Sequence, residues 1–141
     1  MAKYKVGYTT GVFDVFHVGH LNILEHAKEQ CDYLIVGVST DELVQSYKHK
    51  TPVIPFEDRM RIVSAIRVVD RVVPQTSMDK RQAWESLHYD VMFHGDDWKN
   101  TDMYNEEIRK LGEVGVDVVF LKHTPGVSTS ELLAKIREKD S

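Results

Sequence analysis

The sequence predicts an α/β protein: a single Rossmann-like, doubly wound domain on a five-stranded parallel sheet. Two observations lead there. Five short apolar runs, several near-continuous in Val, Ile, Leu and Phe, have the character of strands buried on both faces. Between them, apolar residues recur at helical spacing, and strands alternating with helices form right-handed βαβ units. A length of 141 residues is one domain's worth, so residues 1–141 are read as one unit without linker, repeat or low-complexity tract.

The strands are expected at Val6 to Tyr8, Tyr33 to Val38, Arg71 to Pro74, Val91 to His94 and Val116 to Leu121. Leu21, Leu24, Ala27 and Cys31 form one helical stripe, Met60, Val63 and Ile66 a second, and Ile108 with Leu111 a third. Leu132, Leu133 and Ile136 mark a last helix. Ser128 is its expected N-cap, because Glu131 three residues on completes a capping-box pattern; Ser130 is the alternative. Gln45 to Pro55, basic and proline-bearing, reads as a surface loop.

Composition narrows the function. A content of 42% apolar and 28% charged residues is that of a globular protein, and a net charge of −4 argues against a nucleic-acid-binding surface. The lone Cys31 has no internal disulfide partner, the N-terminus lacks a signal-peptide pattern, and no run spans a membrane. The expectation is a cytoplasmic protein with no membrane partner.

In a doubly wound sheet, ligands bind beyond the carboxyl ends of the strands. GVFDVFHVGH, residues 11–20, occupies that place after the first strand. Gly11 permits close approach of a ligand, and a helix starting near Gly19 would aim unpaired N–H groups at an anion. His17 and His20, three apart, can project to the same side. Two imidazole donors there suit a phosphate whose charge grows during reaction. The pair also fits half of a metal site, but no His/Cys/Asp cluster with ligand spacing completes one nearby, and it fits two ordinary helix-start residues, so alone it favours a functional reading only slightly. Seen with Gly11 and Gly19 after the first strand, the phosphate reading leads.

The decamer resembles the signature of the cytidylyltransferase branch of the HxGH nucleotidyltransferases. The likeness continues in order through DYLIVGVSTDE, EDRMRIVSAIRVVDRVVP, HGDDW and TPGVSTSELL, nearly the whole chain. The GDDW segment and the small size point to the members whose acceptor is glycerol phosphate. The resemblance implies transfer of CMP from CTP to sn-glycerol 3-phosphate, giving CDP-glycerol and pyrophosphate, with Mg²⁺ held mainly through the CTP phosphates and no metal ligand from protein side chains. It also implies a homodimer and a role in teichoic-acid precursor synthesis, with capsule or lipid head-group synthesis as alternatives.

By motif match, His17, His20 and Lys48 would be catalytic. The nucleotide would lie against Val12, Phe13, His17, Val18, Gly19, His20, Lys50, Gly95, Asp97, His123, Thr124, Gly126, Val127, Ser128, Thr129 and Ser130. Lys48 and Lys80 would meet the acceptor, and Asp14 would order its loop. Arg59 and Asp70 fit structural partners at least as well as ligand contacts, and Trp98 a packing residue. The sequence departs from the family at His123, where an arginine is expected, with Lys122 the alternative cation, and at Met78, near the place of a tryptophan. Three readings stay open: the glycerol phosphate enzyme; cytidylyl or adenylyl transfer to another phosphomonoester, such as ethanolamine, choline or another polyol phosphate; and a non-catalytic nucleotide-binding module.

Overall fold

The structure, a computed structural model, describes residues 3–96, 101–122, 124–125 and 128–140. The strands are β1 (Tyr4–Gly11), β2 (Cys31–Ser39), β3 (Arg71–Gln75), β4 (Val91–Gly95) and β5 (Asp117–Leu121). The helices are α1 (Val18–Glu29), α2 (Asp41–Lys48), α3 (Phe56–Ser64), α4 (Lys80–Leu87), α5 (Asp102–Gly112) and α6 (Thr129–Asp140). The sheet has the order β3-β2-β1-β4-β5 and every pairing is parallel. All five expected strands form. The order reverses at β1, so a crevice opens beyond the carboxyl ends of β1 and β4.

Each face of the sheet is covered, as near-continuous apolar strands require. Leu24 and Ala27 of α1 and Val63 of α3 pack on one face against Leu34, Val36, Val38, Val91 and Phe93. On the other, Tyr8, Ile35 and Met92 meet Ala83, Trp84 and Leu87 of α4 and Leu111 of α5. Fully burying one leucine such as Leu24 contributes about 1.5–3 kcal/mol, so the two covered faces are the main hold on the fold. Gly37 has no room for a side chain: a Cβ there would sit 2.5 Å from the Tyr8 hydroxyl.

The structure differs from the sequence-based expectation at a few elements. Gln45 to Lys48 is helical, as the second half of α2, and only the remainder to Pro55 is irregular. The Thr40 hydroxyl caps that helix by accepting from Leu43 N at 3.1 Å, and Asp41 and Glu42 complement its N-terminal dipole. With Val44 its one buried residue, so short a helix has too faint a stripe to stand out from its basic, proline-bearing surroundings. Cys31 opens β2 rather than continuing α1, Ile66 lies past the end of α3, and α4 was not anticipated. Ser128 is the cap of α6: its Oγ accepts from Glu131 N at 3.1 Å.

Candidate active site

A cleft of about 490 Å³ lies beyond the carboxyl ends of β1 and β4. Its floor is the β1–α1 turn, with Gly11, Val12, Phe13, Asp14 and His20; Lys48 and Lys50 to Val53 form one wall, His94 and Gly95 another, and α6 contributes Thr129, Ser130, Leu133 and Arg137.

The turn is strained where it meets the cleft. Phe13 and Val15 have φ of 54° and 49°, left-handed values that β-branched and bulky side chains resist. The conformation is held from outside the turn. The buried Asp14 carboxylate accepts from Val53 N at 2.8 Å and Ile54 N at 2.9 Å, and the Asp14 carbonyl accepts from Thr129 Oγ1 at 2.8 Å. One residue thus joins the floor, the Lys48–Val53 wall and α6. Asp14 orders its loop, as expected, and both carboxylate oxygens are engaged in doing so.

Below the turn, Arg59 is wholly buried. It donates from Nε to Ile54 O at 2.9 Å, from Nη1 to Val12 O at 2.7 Å and to Ser39 O at 2.8 Å, and it pairs with Asp41. Arg59 therefore supports the floor and does not line the cleft. Asp70 is remote from it, accepting from Leu34 N and pairing with Lys28.

His17 and His20 form a mutual cap. His17 is the N-cap of α1, and its Nδ1 accepts from Gly19 N at 3.0 Å. His20 at the third helical position returns the contact, its Nδ1 accepting from His17 N at 3.2 Å. The rings stack at a centroid distance of 3.9 Å. A histidine that accepts at Nδ1 keeps its proton on Nε2, so the capping box fixes the tautomer of both rings. Burial lowers the His17 imidazole below its ordinary range. Burial, with the His17 ring adding to it and Asp14 opposing, brings His20 down to about 4. Both are neutral Nε2–H donors near neutral pH. The Nε2 of His17 is buried with no hydrogen-bond partner, a cost that an incoming acceptor would remove.

Lys48, the last residue of α2, and Lys50 just beyond it both line the cleft. Burial first and the Lys50 charge second lower the Lys48 amine, with Asp14 opposing. The structure therefore brings together Val12, Phe13, His20, Lys48, Lys50, Gly95, Thr129 and Ser130 around one cavity, with His17 stacked behind His20. Val18 and Gly19 form the first turn of α1, where the Gly19 amide already serves the His17 cap. Thr124 faces α1, its Oγ1 accepting from Asn22 Nδ2 at 2.9 Å. Asp97, Trp98, His123, Gly126 and Val127 lie outside the described residues.

Lys80 does not join Lys48. It is buried at the start of α4 and lines a separate pocket of about 190 Å³ with Met78, Tyr104 and Glu107. Burial lowers its amine to about 8 despite the Glu107 and Asp79 carboxylates. His94 stands between the two, lining the main cleft while burial and the Lys80 charge take its imidazole to about 3. Sequence reasoning passed over His94 and Arg137. The former was in plain view in HGDDW; the latter follows Thr129 and Leu133 at intervals of four, one face of α6.

Comparison with known proteins agrees with the geometry. The Cytidylyltransferase-like family model matches residues 8–135. The chain is 35% identical over 135 residues to glycerol-3-phosphate cytidylyltransferase of Staphylococcus aureus, covering 94% of this chain and 96% of that one. It is 37% identical to the bifunctional protein HldE of Aeromonas hydrophila, over 96% of this chain but 28% of that one. Among solved structures, the lipopolysaccharide core biosynthesis protein of Thermoplasma volcanium superposes with a TM-score of 0.72 at 26% identity, over 86% of this chain and 97% of that one. A family match over most of the chain and an end-to-end relative at this identity show that the chain belongs to the cytidylyltransferase-like family of nucleotidyltransferases.

Proposed function

We propose that the protein transfers CMP from CTP to sn-glycerol 3-phosphate, giving CDP-glycerol and pyrophosphate. The observation that carries the chemistry is the capped histidine pair, two imidazoles fixed as Nε2–H donors beside a cleft that Lys48 and Lys50 line. The end-to-end likeness to glycerol-3-phosphate cytidylyltransferase supports the acceptor.

A phosphate oxygen of the acceptor attacks the α-phosphorus of CTP. The new P–O bond forms as the bond to the bridging oxygen of pyrophosphate breaks, and the electron pair leaves with pyrophosphate. The acceptor phosphate is anionic near neutral pH, so no general base is needed. The protein's task is alignment and stabilisation of growing charge. His20, which lines the cleft, donates from Nε2 to a phosphate oxygen, and the buried Nε2–H of His17 behind it gains its missing acceptor when a phosphate reaches it; the capping box already holds both rings. Lys48 and Lys50 balance charge on the same side, and Ser128 and Thr129 place the start of α6 toward the β- and γ-phosphates. Thr129 serves as a positioning contact, since its hydroxyl donates to the Asp14 carbonyl.

Mg²⁺ enters with CTP as its counter-ion. In support, Asp14 is the one acidic side chain among the described residues lining the cleft, and its oxygens already accept from two backbone amides. Such a donor set suits a metal carried by the nucleotide's own phosphates, where it would neutralise the leaving pyrophosphate. Lys80, though outside the cleft, remains a candidate acceptor contact through the pocket behind His94. The homodimer and a place in teichoic-acid precursor synthesis belong to the same reading, and sedimentation at assay concentration checks the first. Among the described residues no helix is long and apolar enough to cross a membrane.

The likeness to HldE favours a second reading, the same transfer to a different phosphomonoester. A pyrophosphate-release screen decides between them, with four nucleoside triphosphates crossed against sn-glycerol 3-phosphate, choline phosphate, ethanolamine phosphate and sugar phosphates. Release from CTP that depends on glycerol phosphate is the expected result. Equal rates with ATP, or no turnover with any acceptor, refutes the proposal.

A further inference from the structure

We propose that Arg137, on the third turn of α6, binds the polyphosphate end of the nucleotide and adds its positive charge to that of Lys48 and Lys50. This rests on the nucleotidyl-transfer reading for its ligand, but not for its geometry.

Three lining residues of α6 stand at intervals of four: Thr129, Leu133 and Arg137. They share one face, which borders the cleft: Thr129 and Leu133 are half-buried there and Arg137 stands exposed at its mouth. Thr129 is fixed to the Asp14 carbonyl, which anchors the face at the floor. Arg137 lies about 12 Å further along the helix axis and lines the same cleft, and helical side chains lean toward the N-terminus, the end held at Thr129. Among the described residues it forms no ion pair, although Glu131 and Glu138 share its helix.

The charge in the cleft gives that free guanidinium its use. The described lining cations are Lys48, Lys50 and Arg137. Lys48 has its amine lowered by burial and by Lys50, and His20 is neutral. Even with Mg²⁺ as counter-ion, a bound triphosphate presents more anionic oxygens than two mutually repelling lysines can contact. Lys122, the nearby alternative from sequence, is exposed and does not line the cavity. Arginine holds its charge at every working pH and grips phosphate with two parallel N–H bonds, which a lysine does not reproduce.

The test uses tripolyphosphate as a probe that needs no turnover. Its dissociation constant is measured by calorimetry for the wild type, Arg137→Ala, Arg137→Lys and Lys135→Ala, alongside KM and kcat for CTP. Arg137→Ala should weaken tripolyphosphate and raise KM for CTP about five- to tenfold, with acceptor KM unchanged. Arg137→Lys should recover part of that loss, and Lys135→Ala, exposed and outside the cleft, should match the wild type. Tripolyphosphate binding within twofold of wild type in Arg137→Ala overturns the proposal, as does a wild type that does not bind the probe. If the probe result holds but CTP is not turned over, the cytidylyl reading falls while the anion site stands. Turnover with normal KM in Arg137→Ala gives the converse.

Discussion

Replacing Arg59 by alanine removes a wholly buried guanidinium that holds three carbonyls, of Val12, Ser39 and Ile54, and pairs with Asp41. Leaving a buried carbonyl without a donor costs about 1–3 kcal/mol each. Water entering the vacated space recovers part of that sum, and Asp41, about a third exposed, is relieved by solvent. The net loss should resemble that of breaking a buried charge pair, about 3–5 kcal/mol. For a chain of this size that lowers Tm by roughly 10–20 °C. Arg59→Lys keeps the charge but not the fork, and should fall between. Arg61→Ala, an exposed neighbour on α3, should stay within about 0.5 kcal/mol of wild type. Urea unfolding followed by far-ultraviolet circular dichroism gives all three values. Because Arg59 holds the Val12 carbonyl under the strained turn, Arg59→Lys should also weaken CTP binding at temperatures where it stays folded. An Arg59→Ala protein within 1 kcal/mol of wild type would refute the reasoning, since it would mean those carbonyls find water without cost.

Three further outcomes are expected. His17→Asn keeps an oxygen to cap Gly19 N but has no Nε2–H, so its Tm should hold while kcat falls about 10²–10³-fold; equal losses of Tm and kcat in His17→Asn and His17→Ala would assign the ring to capping alone. His20 titrates at about 4 when folded and near its ordinary 6.5 when unfolded, so the unfolded chain binds the extra proton between those values. Stability should therefore be lost as pH falls through that window, and His20→Gln should flatten the acid limb of a Tm-against-pH profile. Lys48→Ala should raise the dissociation constant for CTP about tenfold by equilibrium dialysis, with less effect at high salt; an unchanged constant would remove Lys48 from the triphosphate site.

The sequence by itself determined the strands, most of the helices and the order of the motifs, because these depend on neighbours a few residues apart. Runs such as Leu34 to Val38 need no distant partner to declare a buried strand, and Ser128 with Glu131 declares a cap within one turn. The short α2 and α4, each with a single buried residue, lacked such a stripe and were missed. The site's residue types were legible in the same local way, yet their employment was not. That Asp14 would be tied to Val53, Ile54 and Thr129 depends on contacts across 39 to 115 positions. Arg59 beneath Val12, Lys80 held apart behind His94, and Arg137 turned into the cleft are likewise long-range results. A cation in a sequence has the same charge wherever it stands. Only packing decides whether it meets a carbonyl, a buried carboxylate or an open cleft, because desolvation and hydrogen-bond geometry exist only once the chain has closed.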